Sequence, residues 1–248
     1  MLENPRSPRV RAVAKLTKRS ARQETGLFLL EGPQAAREAL AYRPDTVVEL
    51  YATPTAMERH QDVRDAARAA GLDIEFTTEA VLDAMADTVT PQGIVAVARQ
   101  SPTALKDVFA ASPRLIAICE EVRDPGNLGT IIRAADAAGA DAVILTGRTV
   151  DPYNPKVVRA TTGSLFHVAV AVAADLEATV ERAHAAGLRI VAADVGGEDF
   201  LARRDLLAEP TAWLFGNEAR GLEAEALAHA DLSLRLPIYG RAESLNLA

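Results

Sequence analysis

Apolar and polar positions change period repeatedly along the 248-residue chain, and each change marks a predicted element. Residues 8–22 are basic and compatible with a helix. The apolar run Leu27–Leu30 predicts a strand closed by Glu31-Gly32-Pro33, and residues 33–41 a helix. Val47–Tyr51 predicts a second strand. Thr53-Pro54 then starts a long helix to about Gly71, with proline at a position that tolerates it. Ile74–Thr77 predicts a third strand, 79–85 a helix, and Gly93–Ala98 a fourth strand. Such alternation predicts a small layered α/β domain over residues 1–99. Residues 100–113, QSPTALKDVFAASP, bracket a short polar helix with Ser-Pro at each end and read as a linker.

From residue 114 the pattern is more apolar. Leu115–Cys119 is a continuous apolar run, the signature of a strand buried on both faces. Asp124-Pro125-Gly126 predicts a turn. Leu128, Ile131, Ile132 and Ala135 then fall at i, i+3, i+4 and i+7, one face of a helix with Asn127 as its predicted N-cap. Further strands are predicted at Ala142–Leu145, Phe166–Val172, Arg189–Ala193, Ala212–Phe215 and Leu232–Leu236. Helices are predicted from Asn154-Pro155, over 176–186 and over 222–229, and Gly196-Gly197 as a turn. Strands separated by helices imply a mostly parallel sheet covered on both faces.

Composition adds exclusions. With 49% hydrophobic and 25% charged residues the chain has an ordinary globular make-up. No apolar run approaches the ~20 residues of a membrane helix. The N-terminus, MLENPRSPRVRAV, has no apolar stretch of the kind a secretory signal needs. The single cysteine, Cys119, excludes a disulfide framework and reads as a small core residue. These features point to the cytoplasm. Four histidines (His60, His167, His184, His229) form no ligand pattern, so no metal is expected. The net charge of −7 does not advertise a nucleic-acid binder. Its distribution does more: residues 1–22 hold seven Lys and Arg against Glu3, a net +6 that leaves −13 on the remainder. This basic arm is either a phosphate contact or a solvated helix face.

Three loops follow predicted strands and carry polar chemistry. In the first, Asn127 opens a helix and Arg133 points off its apolar face. Helical side chains lean toward the N-terminus, so both bear on the carboxyl end of a strand, where open α/β sheets bind ligands. The second is Gly216-Asn217-Glu218-Ala219-Arg220-Gly221, whose glycines allow close backbone approach and whose Glu218 is an acceptor. It is not a phosphate-binding P-loop, because Leu222 stands where the lysine would be. The third runs from Leu236 to Asn246. Taken singly, each has a plain reading: a capped helix, a glycine-rich turn, and a surface loop leading into a helix capped by Ser244.

Together, Asn127-x-Gly129-x-x-x-Arg133, GNEARGL at 216–222 and LPIYG…SLN at 236–246 resemble, in order and spacing, the three signature motifs of the SpoU/TrmH group of SPOUT RNA methyltransferases. KVVRATTGSLFHV resembles a further family segment, in which Arg159 and Gly163 either shape the cofactor side of the site or serve helix solvation and C-capping. LLEGPQAAREAL and TPQGIVAV resemble the substrate-binding domain that precedes many SpoU catalytic domains, a domain similar to a ribosomal-protein RNA-binding fold. The resemblance implies an RNA substrate-binding domain at 1–99, a linker at 100–113, and a SPOUT α/β catalytic domain at 114–248. Such a domain closes in a deep trefoil knot, a rare exception to unknotted topology, and works as a homodimer with active sites at the subunit interface.

The implied cofactor is S-adenosylmethionine, held at Gly216, Asn217, Leu236, Ile238 and Leu245. The implied reaction is methyl transfer to a ribose 2′-hydroxyl of RNA, 23S ribosomal RNA first and transfer RNA as its rival. Asn127, Arg133, Glu218, Ser244 and Asn246 are the implied catalytic set, without metal. In the family SLN continues into an apolar helix that completes the knot. Here the sequence ends at Ala248, two residues after Asn246, so that helix is expected to be missing. An RNA-binding or assembly protein of the same fold without catalysis is the alternative. A dinucleotide-dependent enzyme is disfavoured, since no G-x-G-x-x-G follows the strand at 115–119.

Overall fold

The computed structural model describes residues 1–173 and 175–241, with the side chains of 204–207 outside that description. The chain forms two compact units. One comprises Met1–Ser101 and Asp151–His167, the other Pro102–Val150 and the chain from Val168 onward.

In the first unit the predicted helix over 8–22 is two helices, α1 (Pro8–Lys15) and α2 (Arg19–Thr25). Ser7 caps α1 by accepting from the Val10 amide, and the Thr17 hydroxyl turns back onto the Ala14 carbonyl where the helix stops. The chain continues through β1 (Leu27–Glu31), α3 (Pro33–Tyr42), β2 (Val47–Ala52), α4 (Pro54–Arg59), α5 (Gln61–Ala69), β3 (Ile74–Phe76), α6 (Glu79–Met85) and β4 (Ile94–Arg99). The long helix expected over 54–71 breaks at His60, which has φ −119° and ψ 62°. The break lets Met57 and Val63, both fully buried, enter one core from two helix axes. The sheet order is β1-β4-β2-β3, with β4 antiparallel to β1 and β2, and β2 parallel to β3. Strand alternation serves two cores. Phe28, Leu30, Leu50 and Ala96 join the core with residues of α3 and α5. Leu29, Tyr51, Val95 and Val97 join the core with residues of α1 and α6.

The second unit begins with α7 (Leu105–Ala110), β5 (Leu115–Glu120), α8 (Pro125–Ala137) and β6 (Ala142–Thr146). The chain then leaves it for residues 151–167, whose helix α9 (Pro155–Thr161) belongs to the first unit. It returns as β7 (Ala169–Val172), α10 (Leu176–Ala185), β8 (Arg189–Asp199), β9 (Thr211–Phe215), α11 (Ala224–Leu227) and β10 (Leu232–Arg235). The strand expected from Phe166 starts only at Ala169, because Ser164–Phe166 is a 3₁₀ turn. All strand pairs are parallel, in the order β10-β8-β9-β5-β6-β7. The glycine pair expected to turn lies within β8 instead. There the register against β10 jumps from Ala192 to Glu198, and a Cβ on Gly197 would stand 2.5 Å from the Ser233 carbonyl. Glycine here serves a bulge and a close backbone approach rather than a reversal.

Residues 151–167 complete the first unit's interior. Arg22 is 1% exposed; its Nε and Nη2 donate to Asp151 Oδ2 at 2.9 and 2.7 Å, and its Nη1 donates to the carbonyls of Leu16 and Thr17. Tyr153 packs on Phe28 with ring centroids 4.7 Å apart. Arg159 donates to Glu31 at 2.8 Å and to Asp87 at 3.0 Å. Gly163 has φ +108°, and a Cβ there would meet Glu38 Cγ at 2.2 Å. Of the two residues of the KVVRATTGSLFHV segment left open in sequence, Arg159 forms ion pairs and Gly163 makes room for Glu38 within this unit.

Candidate active site

The site grows from the strand order of the second unit. β5 and β9 are neighbours in parallel register, from Leu115 opposite Thr211 to Cys119 opposite Phe215. β6 and β7 lie on one side of this pair, β8 and β10 on the other. The chain therefore reverses its direction of travel across the sheet here, and loops leaving the carboxyl ends of such strands open a crevice. The loops in question are Glu121–Asp124, after β5, and Gly216–Gly221, after β9.

Helix α8 begins one turn earlier than its apolar pattern suggests. Asp124, not Asn127, is the N-cap: its Oδ1 accepts from the Asn127 amide at 2.9 Å, with Pro125 in the first turn. Proline is preorganised for that position and its missing N–H costs nothing there, so Asp-Pro sets the start.

The two loops are knitted together. Asn217, 8% exposed, donates from Nδ2 to the Glu121 carbonyl at 3.0 Å. Its Oδ1 accepts from the amides of Ala219 and Arg220 at 3.0 and 3.2 Å, which shapes its own loop. The two carboxylate oxygens of Glu218 accept from the amides of Arg123 at 3.3 Å and Asp124 at 3.1 Å. Reciprocal backbone bonds between Asn217 and Gly221, 2.9 and 2.8 Å, close the second loop on itself. That closure requires glycine at 216, where a Cβ would lie 2.5 Å from the Gly221 carbonyl.

Charge gathers around Glu121, which holds a left-handed φ of 54°. Its carboxylate pairs with Arg123 at 2.6 Å, Arg220 at 2.9 Å and Arg148 at 3.2 Å. Hydrogen bonds from Arg148 and then Arg123 pull its pKa down to about 2. A polar cavity of ≈ 450 Å³ lies here, with Glu120, Glu121, Arg148, Asn217 and Arg220 among its walls. Glu120 Oε2 is buried without a hydrogen-bond partner. A Cβ on Gly147 would stand 2.7 Å from Glu120 Oε1, so that glycine makes room for the acid pair.

The sequence-predicted residues distribute as follows. Asn127 is half-buried in the first turn of α8, and its side chain has no partner among the described residues. Arg133 lies six residues on, ~9 Å along the axis at 1.5 Å per residue. It is exposed and makes no ion pair or hydrogen bond among the described residues. Gly216, Asn217 and Glu218 are in the interlocked loop. Leu236, 56% exposed, borders an apolar cavity of ≈ 370 Å³ shared with Ile131, Ala135, Phe215 and Leu234, and Ile238 is half-buried. Ser244, Leu245 and Asn246 lie outside the described residues. Sequence reasoning missed Asp124 as the cap and the Glu121–Arg123–Arg148–Arg220 cluster. The Asp-Pro step could have revealed the first; the second joins residues up to 99 apart, and no local spacing announces it.

Backbone groups of a closed loop together with apolar side chains suit a ligand with a flat apolar body and polar rim, as the resemblance implies for the adenosine of the methyl donor. Among the described residues, no three His, Cys, Asp or Glu side chains group to hold a metal, and no helix is long and apolar enough to cross a membrane.

Comparison with known proteins gives concordant results. Residues 114–248 match the model of the SpoU rRNA Methylase family, and residues 29–104 that of RNA 2'-O ribose methyltransferase substrate binding. The chain is 34% identical to the Bacillus subtilis 23S rRNA (guanosine(2553)-2'-O)-methyltransferase RlmP, over 100% of this chain and 94% of that protein. It resembles an AdoMet-bound rRNA methyltransferase from Sinorhizobium meliloti, with a TM-score of 0.83 and 33% identity over 99% of this chain and 92% of the other. It also resembles the SpoU methyltransferase AviRb from Streptomyces viridochromogenes in complex with AdoMet, with a TM-score of 0.83 and 29% identity over 98% and 93% of the two chains.

Proposed function

The chain belongs to the SpoU rRNA methylase family, and from that premise we propose that it transfers the methyl group of S-adenosylmethionine to a ribose 2′-hydroxyl of 23S ribosomal RNA. One observation carries the reading. The loop that leads into the first motif and the loop that bears the second leave adjacent parallel strands at the sheet's switch point and are hydrogen-bonded to each other through Asn217 and Glu218.

Each residue then has a physical task. A ribose hydroxyl is a weak nucleophile that must lose its proton as in-line attack begins. Arg133 cannot take that proton, because a guanidinium stays charged. Exposed and without an ion pair among the described residues, it can grip the phosphate beside the target ribose with two parallel hydrogen bonds and stabilise the developing alkoxide. Asn127, whose side-chain amide has no partner among the described residues, orients the ribose. Glu218 has both oxygens on backbone amides, so it holds the start of α8 in place. Ser244 and Asn246 complete the orientation and relay the ribose hydroxyl proton to solvent water as the oxygen attacks. When bound, S-adenosylmethionine supplies a methyl group on a sulfonium, already a good leaving group. Backbone groups of Gly216 and Asn217 and the side chains of Leu236, Ile238 and Leu245 would hold it.

The wider proposal follows the family. Residues 1–99 dock the RNA, 100–113 link, and 114–248 carry the reaction within a trefoil-knotted domain. The enzyme works as a homodimer in the cytoplasm. The test is tritium transfer from labelled S-adenosylmethionine to ribosomal RNA, and separately to transfer RNA, each lacking the modification, beside an Arg133→Ala control. Incorporation at a ribose 2′-oxygen of ribosomal RNA by the wild type alone is expected. Incorporation into transfer RNA instead would move the substrate. Cofactor binding without transfer would make the chain an RNA-binding member of the fold.

A further inference from the structure

The two basic helices at the N-terminus are folded, not a tail. Val10, Val13 and Leu16 are at most 4% exposed and seat α1 in the core it shares with α6. Of the seven basic residues in 1–22, two are committed inside the unit: Arg22 to Asp151, and Arg9 to Tyr51 and Glu75. The other five, Arg6, Arg11, Lys15, Lys18 and Arg19, are exposed and have no ion pair among the described residues. Arg11 and Lys15 are one helical turn apart, ~6 Å along the axis, on the side of α1 away from Val10 and Val13. Lys18 and Arg19 follow at the turn, where the Lys18 amide donates to the Lys15 carbonyl. The acids of residues 1–25 are Glu3 and Glu24. The family's substrate-binding model starts at residue 29, after both helices.

We propose that the α1–α2 surface, through Arg11, Lys15, Lys18 and Arg19, is an RNA-backbone anchor supplementary to the family's substrate-binding segment. The inference rests on RNA being the substrate and deepens that reading. The rest of the chain carries −13 and repels a polyanion, so this +6 segment is where long-range attraction concentrates. An anionic membrane fits less well. A helix that enters an interface presents large apolar side chains beside its basic ones, and Met1 is the sole exposed large hydrophobic among residues 1–41. Contacts of this kind recognise phosphate and carry no base information.

The test uses the full chain and a labelled hairpin RNA of arbitrary sequence, with affinity measured from 50 to 200 mM salt. Each phosphate contact contributes about 0.7–0.9 to the slope of log K against log salt, so four contribute about 3. Arg11→Gln, Lys15→Gln, Lys18→Gln and Arg19→Gln combined should shrink the salt-induced weakening over that range by roughly 50- to 150-fold. Combined Lys15→Arg and Lys18→Arg should restore nothing lost and keep the wild-type slope, because the charge is kept. Lys106→Gln with Arg182→Gln, two exposed charges on α7 and α10 outside the substrate-binding segment, should leave the slope unchanged. An unaltered slope in the quadruple variant overturns the proposal, as does an equal loss from the Lys106 and Arg182 pair. Binding of the wild type to phosphatidylglycerol vesicles but not to the hairpin overturns it in favour of a membrane. The readout needs no methyl transfer. If Arg133→Ala and the wild type are equally inactive yet the slope falls as expected, the anchor stands and the catalytic reading fails.

Discussion

At the residue scale, Glu121 and Arg133 make opposite predictions from opposite surroundings. Glu121 is held ionised by Arg148 and Arg123, with its pKa near 2 against an ordinary 4.5. A depressed carboxylate contributes to folding above its unfolded pKa and loses that contribution as pH falls through its folded one. The arginine cluster should therefore be intact at neutral pH and come apart only between about 4.5 and 2. Carbon-detected titration of the Glu121 carboxyl should give a midpoint far below the other glutamates, and Arg148→Ala should raise it. A midpoint near 4.5 in the wild type would show that the cluster does not form. Arg133 is exposed and has no such partner among the described residues, which suits it to a substrate phosphate. Arg133→Ala should lower turnover by roughly 10²–10³-fold, the usual cost of losing a donor to developing negative charge. Arg133→Lys should recover little, because an ammonium cannot make the planar paired contact. Near-full turnover in the lysine enzyme would remove the bidentate grip from the mechanism.

At the element scale, periodicity located nearly every strand and helix, because each apolar stripe faces a buried layer. Its errors have physical causes. Asn127 fits a cap by residue type, but Asp124-Pro125 starts the helix a turn earlier. Gly196-Gly197 suggests a reversal by composition, yet the pair lies in β8 where the backbone of β10 crowds it. The site was legible as three strings in order. Its assembly was not: the bonds from Glu218 and Asn217 to the first loop span 94 to 96 residues. The same geometry makes Gly216 a test of the platform. A methyl there would lie 2.5 Å from the Gly221 carbonyl, and backbone must move to admit it. Gly216→Ala should destabilise the protein by about 1–3 kcal/mol, the range for an added methyl in a packed site. It should also loosen cofactor binding more than Gly240→Ala, where a Cβ would meet nothing within 4 Å. Urea unfolding and isothermal titration with S-adenosylmethionine measure the two effects.

At the scale of the whole molecule, the chain crosses between its two units three times, near residues 101, 150 and 167. The sequence suggests a single crossing, since 151–167 reads as one more strand-to-strand connection of the second half. What draws it into the first unit is chemistry in side chains far apart in sequence. Arg22 and Asp151 form a buried ion pair 129 residues apart, with Asp151 15% exposed in its side chain. Removing one member of such a pair strands the other charge and costs about 3–5 kcal/mol, whereas replacing both by apolar residues of similar size is often neutral. Arg22→Leu should therefore destabilise the full chain by about that amount, in part because the Leu16 and Thr17 carbonyls also lose their donor. Asp151→Leu alone should be comparably damaging. The double replacement should be milder than the sum of the two, and urea unfolding of all four proteins supplies the cycle. If the single losses simply add, Arg22 and Asp151 act independently, and the apolar contacts of Tyr153 and Val158 in the Phe28 core hold residues 151–167 without the ion pair.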